Sequence, residues 1–379
     1  MNTIEPNSDA QSLQGFMDKA TLTKSPENWE DEGDEILPFQ YSITSYGADY
    51  PVDGLVKRLE NGSIYIPSLQ RHYVWKLEQA SRFIESLLLG LPVPGIFLSK
   101  EKETQKLLVI DGQQRLRTLQ YFYVGVFQVN GKDKEFALKG VQPQFEELTY
   151  QSLSDEDRRR LDDSIIHATI VNQDEPSEDD SSIYHIFQRL NTGGTTLESQ
   201  EIRSSIYHGE FNDLLKQLNN NSAWRSIYGK NDKNIRMRDE ELILRFLALY
   251  FKGNEYKRPL KEFLNKFMGK NRHLKYYSGE KIRDVFETTI NKIYQCIGTR
   301  AFKPKRTLNA SVFDAVMIGV ARRLEKSDIN DCEQLKLQYT NLLEDPSFLE
   351  VTVKTARTSE EENVKERIEK AINAFAEIE

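Results

Sequence analysis

The chain has 379 residues, 38% of them hydrophobic and 29% charged, with a formal net charge of −8. That length suits two ordinary domains or one domain with a large helical extension, and it permits a sizeable core. The acidic balance argues against a surface that coats DNA as a whole, and no apolar run approaches the roughly 20 residues that cross a bilayer.

Residues 1–36 are polar and acidic, with a dense run at Trp29-Glu30-Asp31-Glu32-Gly33-Asp34-Glu35 and no secretory signal. They read as a flexible tail or docking segment, taken as 1–38, on a soluble cytoplasmic protein with no membrane partner. Order is expected to begin near Phe39, and a mixed α/β pattern runs to about residue 175. Ile64-Tyr65-Ile66 is a short strand stopped by Pro67. Ala80, Phe83, Ile84, Leu87 and Leu88 then recur at helical spacing up to Gly90 and Pro92. Ile96-Phe97-Leu98 and Leu107-Leu108-Val109-Ile110 are apolar throughout, as strands covered on both faces tend to be. A helix comes next, from 113 to about 124, and Phe127 to Gly131 suggests a hairpin turning at Asn-Gly. Arg158-Arg159-Arg160 is either a local basic patch or a solvated helix face, and so is the stretch holding Lys303, Lys305 and Arg306. A strand is expected over 167–171, with an acidic loop over 174–180.

From about Ser181 the pattern is helical almost exclusively. Phe211, Leu214, Leu215 and Leu218 mark one helix, residues 242–251 a second, and Val312 to Leu324 a third. The last opens with Thr358 and Glu361 in capping-box spacing and carries Val364, Ile368, Ala371, Ile372 and Phe375 on one face. Cys296 and Cys332 stand alone, so neither a disulfide framework nor a zinc ribbon is expected. His72, His167, His185, His208 and His273 are scattered, without the spacing of a shared metal, and no metal site is expected.

The centre of interest is Asp111-Gly112-Gln113-Gln114-Arg115. An apolar strand delivers Asp111 at its carboxyl end, Gly112 allows a sharp turn, and a helix starts at once. The amino end of such a helix is a ready anion site, and ligands of open α/β sheets gather at strand ends of this kind. On the helical wheel Leu116, Leu119, Phe122 and Tyr123 form the buried face, Arg115 lies at its edge, and Gln113 and Arg117 point elsewhere. A guanidinium partly inside a core needs a partner. Asp111 is one candidate and a phosphate, which Arg grips well, is another. Gln113 and Gln114 can read a ligand or position a water. The plainer reading is that Asp111 caps the helix and pairs with Arg115. The segment is not a Walker A loop.

Two further stretches invite the same question. Pro67-Ser68-Leu69-Gln70-Arg71-His72-Tyr73-Val74-Trp75 comes after a strand and precedes a helix. Its Gln-Arg pair and aromatics suit a base and phosphates, or Tyr73 and Trp75 staple the helix entry to the core. Phe187 to Leu197 holds Asn191-Thr192-Gly193-Gly194-Thr195-Thr196 and leads to Glu201-Ile202-Arg203. The Thr-Gly-Gly-Thr turn exposes amides and hydroxyls to an anion, though any tight helix–helix turn uses Gly-Gly.

Taken in order, QRxYVW, an Ile-Glu-Ser-Leu-Leu helix with Gly-Leu-Pro-Val-Pro, IDGQQRLxTL and FxRLNTGGTxL…EIR resemble the N-terminal domain of GmrSD-type modification-dependent restriction endonucleases, over about residues 41–246. That family is similar in turn to the ParB/sulfiredoxin fold. The resemblance implies an α+β protein: a ParB-like mixed α/β nucleotide-binding domain over 39–230, then an all-helical region over 231–379. It implies that Asp111, Gln113, Gln114 and Arg115 act in catalysis on a nucleoside triphosphate. Gln70, Arg71, Tyr73, Gly112, Arg117, Thr118, Arg189, Asn191, Thr192, Gly193 and Gly194 would bind it. Mg²⁺ would ride on the phosphates. Longer relatives carry a C-terminal HNH nuclease, but nothing like His-Asn-His occurs here. The chain is therefore expected to be the nucleotide-binding part of a bacterial restriction or antiphage system, leaving the helical region for sensing, homo-oligomer contacts or a separate nuclease subunit. The alternatives are a non-catalytic DNA-binding module that senses modified DNA, and a nuclease built around Asp111.

Overall fold

A computed structural model describes residues 42–67, 73–101, 104–129, 132–175, 181–190, 197–229, 232–234, 236–355 and 357–379. The tail expected over 1–38, the Asn130-Gly131 turn and residues 176–180 of the acidic loop lie outside them.

The chain opens with β1 (Ser42–Pro51), α1 (Val52–Glu60), β2 (Ile64–Tyr65), α2 (Leu77–Leu88), β3 (Ile96–Lys100), β4 (Leu107–Asp111) and α3 (Gln113–Val124). The hairpin strands β5 (Val126–Val129) and β6 (Lys132–Glu135), α4 (Asp155–Asp162) and β7 (Ile165–Glu175) come next. The main sheet has the order β1-β7-β3-β4-β2. β7 pairs antiparallel with β1 and parallel with β3, and β4 pairs antiparallel with β3 and parallel with β2.

Sheet residues divide between two cores by the period-2 alternation of a strand. Leu98, Leu107, Val109 and Ile170 pack with Leu55, Ile84, Leu87, Leu116, Leu119 and Phe122 from the helices of the first half. Ile110 and Val171 point the other way, into a core that continues through Ile183, Tyr184 and Phe187 to the end of the chain. The apolar strands are thus covered on both faces, as their composition predicts.

Among the described residues every regular element after β7 is helical. They are α5 (Ser181–Leu190), α6 (Ser199–Ile206), α7 (Glu210–Leu218), α8 (Ser222–Tyr228), α9 (Arg238–Lys252), α10 (Leu260–Lys270), α11 (Gly279–Ile297), α12 (Ala310–Leu324), α13 (Cys332–Glu344), α14 (Pro346–Leu349) and α15 (Glu361–Phe375), with short 3₁₀ and π turns. The fold class is α+β, as expected. Helix α12 is buried nearly all round, as a helix apolar on every face should be. At Gly319 it meets α15 so closely that a Cβ would lie 2.8 Å from the Ala371 backbone. No described helix is long and apolar enough to cross a membrane.

Two local expectations are corrected. Cys296 and Cys332 are joined by a disulfide across a separation of 36 residues. Their pairing arises from the packing of α11 against α13, which spacing does not reveal. The Thr358–Glu361 capping box does not form: α15 has Glu360 at its cap position and no side-chain cap bond. Thr358 is buried instead, and its carbonyl accepts from the Arg367 Nη1. A sealed guanidinium, with only donors to offer, claims the acceptor there.

Candidate functional site

β4 carries its apolar side chains to the edge of the sheet and then breaks register. Leu98 faces Val109, but Phe97 faces Asp111, so Ile110 has no residue opposite it. An extra residue of this kind bends a strand and re-aims the residues beyond it. Asp111 comes to lie beside Phe97. Gly112 then turns the chain at φ 99° and occupies the cap position of α3 without any side-chain bond. Only glycine suits this position. A Cβ would come within 2.4 Å of Ile96 Cγ2, and the left-handed conformation disfavours any other residue.

One turn into α3, Arg115 Nη2 donates to Asp111 Oδ2 at 2.6 Å. Of the two roles the spacing offers Asp111, the structure shows the pairing with Arg115 and gives the cap position to Gly112. The pair is lopsided. The Arg115 side chain is 15% exposed and the Asp111 carboxylate 41%. Arg115 Nε is buried and has no hydrogen-bond partner among the described residues; Arg117 Nε shares that condition.

Gln114 faces the chain that enters α2. Its Oε1 accepts from the amide of Val74 at 3.0 Å and, more weakly, from that of Trp75 at 3.4 Å. Thr118, fully buried, donates its hydroxyl to Gln114 O at 2.7 Å. The Thr118 proton being spent there, Tyr73 OH donates to Thr118 Oγ1, also at 2.7 Å. Tyr73 is buried edge-on against Tyr121 and Phe127, and burial pushes its hydroxyl up to about 12, so it remains a donor. Trp75 packs edge-on against Phe83. Both aromatics thus staple the helix entry to the core.

The structure therefore brings together Tyr73, Asp111, Gly112, Gln114, Arg115 and Thr118. Gln113 opens the helix beside them, part-buried, and Arg117 is part-buried one turn on. Arg189 lies exposed near the end of α5. Gln70, Arg71, Asn191, Thr192, Gly193 and Gly194 lie outside the described residues.

What the sequence did not disclose is how firmly α5 and α6 are held. Arg203 is 1% exposed and donates to Asn265 Oδ1 at 2.9 Å, Gln200 Oε1 at 2.9 Å and Glu241 Oε2 at 3.1 Å. His185 Nε2 lies 3.0 Å from the buried Glu262 carboxylate. Glu198 and Glu201 close a capping box on α6 and pair with Arg238 and Arg236. The Glu-Ile-Arg triplet was the available signal; its arginine is committed to the fold.

In the two basic stretches Arg159, Lys305 and Arg306 are exposed, while the other cations have partners within the fold. Arg158 donates to Gln151 O and Leu153 O and lies over the Tyr150 ring, while Arg160 pairs with Glu156. Lys303 Nζ donates to Ile227 O and Thr299 O, and burial lowers its pKa. Among the described residues no cluster of three or more His, Cys, Asp or Glu is placed to hold a metal.

Residues 52–208 match the family model described as GmrSD restriction endonuclease, N-terminal domain. The matched stretch runs from α1 to just past α6, so it includes the β4–α3 junction and both flanking motifs. No curated protein matches the chain.

Proposed function

We propose, from the match of residues 52–208 to the GmrSD restriction endonuclease N-terminal domain, that the chain is the nucleotide-binding component of a restriction or antiphage defence system, and that it hydrolyses a nucleoside triphosphate at the β4–α3 junction. The observation that supports this reading is the lopsided ion pair at a helix start whose cap residue is Gly112. A 12-residue helix presents the positive end of its dipole there. Arg115 supplies a fixed positive charge whose carboxylate partner is half in water, and its Nε has no acceptor among the described residues. An anion arriving at this end meets donors already desolvated and oriented, the arrangement that stabilises charge best.

In this reading Arg115 neutralises the phosphate oxygens, and its planar fork suits them better than a lysine would. Asp111 holds that fork in place and, being 41% exposed, orients the attacking water together with Gln113. Mg²⁺, when bound, would supply charge neutralisation on the phosphates. Asp111 is the one carboxylate of the motif available to it.

A nucleotide titration and a phosphate-release assay on wild type and Arg115→Ala test the proposal. Loss of a charge-assisted hydrogen bond predicts affinity weakened by about tenfold or more. Affinity and release unchanged in Arg115→Ala would overturn it.

A further inference from the structure

We propose that Gln114 is a positioning residue, which serves the site by clipping the Tyr73–Trp75 backbone to the first turn of α3. This rests on the nucleotide reading and reassigns one of its residues. The side-chain oxygen of Gln114 has both lone pairs engaged by the amides of Val74 and Trp75, so it is not free to accept a hydrogen bond from an attacking water. The clip has a second anchor one turn along the helix, where Tyr73 donates to Thr118 and Thr118 donates to the Gln114 carbonyl. Both anchors lie on α3, the helix that carries Arg115. Between them they fix three consecutive residues, although the Val74 side chain itself is 63% exposed and contributes little packing. At Val74 polar contacts hold the backbone where burial does not; Tyr73 and Trp75 are held by packing as well.

The test compares wild type with Gln114→Met, Gln114→Glu and Thr118→Val by amide hydrogen exchange at Val74 and Trp75, and by ATP and GTP titration. Gln114→Met keeps the bulk and loses the acceptor; exchange at both amides should rise about tenfold, the worth of one such bond. Gln114→Glu keeps an acceptor and should retain the protection. Thr118→Val matters most. Thr118 is fully buried, yet a clip predicts that this variant also speeds exchange and weakens nucleotide affinity severalfold. Exchange unaltered in Gln114→Met overturns the assignment. So does faster exchange in both variants with nucleotide affinity intact, because the clip then serves only the fold. A wild type that binds neither nucleotide defeats the functional reading and the role assigned here together. Failure of the exchange arm alone defeats only the role of Gln114.

Discussion

The helical half and the α/β half both bury arginines, but they treat the partners differently. In the helical half Asp314, fully buried, takes Arg245 at 2.7 Å and Arg367 at 3.1 Å, and neither arginine is more than 6% exposed. Asp239, also fully buried, takes Arg225 at 2.7 Å. These groups are sealed on both sides. At the β4–α3 junction the arginine is sealed and the carboxylate is not. Opening a sealed network to a new partner would mean unpacking the core around it. At the lopsided pair the carboxylate is solvated already. Charge buried in this protein is therefore a poor guide to function by itself. The informative feature is the asymmetry of the pair.

The largest effect should come from breaking a sealed pair. Asp314→Ala removes the buried carboxylate that Arg245 and Arg367 share, at a cost of about 3–5 kcal/mol. Asp111→Ala, whose carboxylate is well screened by water, should cost about 1 kcal/mol or less. Urea unfolding of the two variants compares them directly. Equal losses would remove the distinction on which the site is chosen.

The helical half also holds a carboxyl with a like-charged neighbour. Burial first, and then the adjacent Asp239, push Glu240 up to about 7. A raised folded-state pKa means that the folded protein holds the proton more tightly. The stability this confers is full below pH 4.5, the ordinary value for Glu, and is lost as pH rises through about 7. The loss should be on the order of 3 kcal/mol. Glu240→Gln, which cannot ionise, should flatten the melting temperature across pH 5–8 and be more stable than wild type at the upper end. A wild-type profile that already lacks this fall would show that the helical core accommodates the charge.

How much of this was legible in the sequence depended on whether one side of an element is buried. The helix read from 113 to about 124 has those bounds in the structure, because Gly112 and Gly125 punctuate it and a clear apolar face runs between. β1 left no such signal. Its residues Ser42 to Gly47 are exposed on both faces, so no alternation appears, and the strand exists only because β7 pairs along its whole length. α4 gave no signal for a related reason, as it buries Leu161 alone. At the site, the Asp111–Arg115 spacing offered the ion pair as one of the readings, since both residues share one short stretch of chain. The contact between Gln114 and the Val74 amide spans 40 residues and could not be read from either motif separately. Tyr73 looked equally suited to a ligand and to the core; only the fold, which places Thr118 and Phe127 around it, decides for the core.

An intermediate effect is predicted for an ion pair between the two halves that is neither sealed nor open. Glu101, just after β3, accepts from Arg272 Nη2 at 2.6 Å, from Tyr65 OH at 2.5 Å and from Thr104 Oγ1 at 2.5 Å. Arg272, just beyond α10, also donates Nε to His208 O at 2.6 Å. Exposure of the glutamate and arginine side chains is 13% and 20%, so both are less open than Asp111 and less closed than Asp314. Glu101→Gln keeps one oxygen as an acceptor but removes the charge, which should cost about 1–2 kcal/mol. That loss lies between those expected for Asp111→Ala and Asp314→Ala. The pair sits by the first residues of β4, at the opposite end of the strand from Asp111. The mutation should therefore leave nucleotide affinity within about twofold, since sites well apart with no shared partner behave independently. If affinity falls with stability in Glu101→Gln, the two ends of β4 are energetically coupled, and the helical half acts on the junction through the sheet.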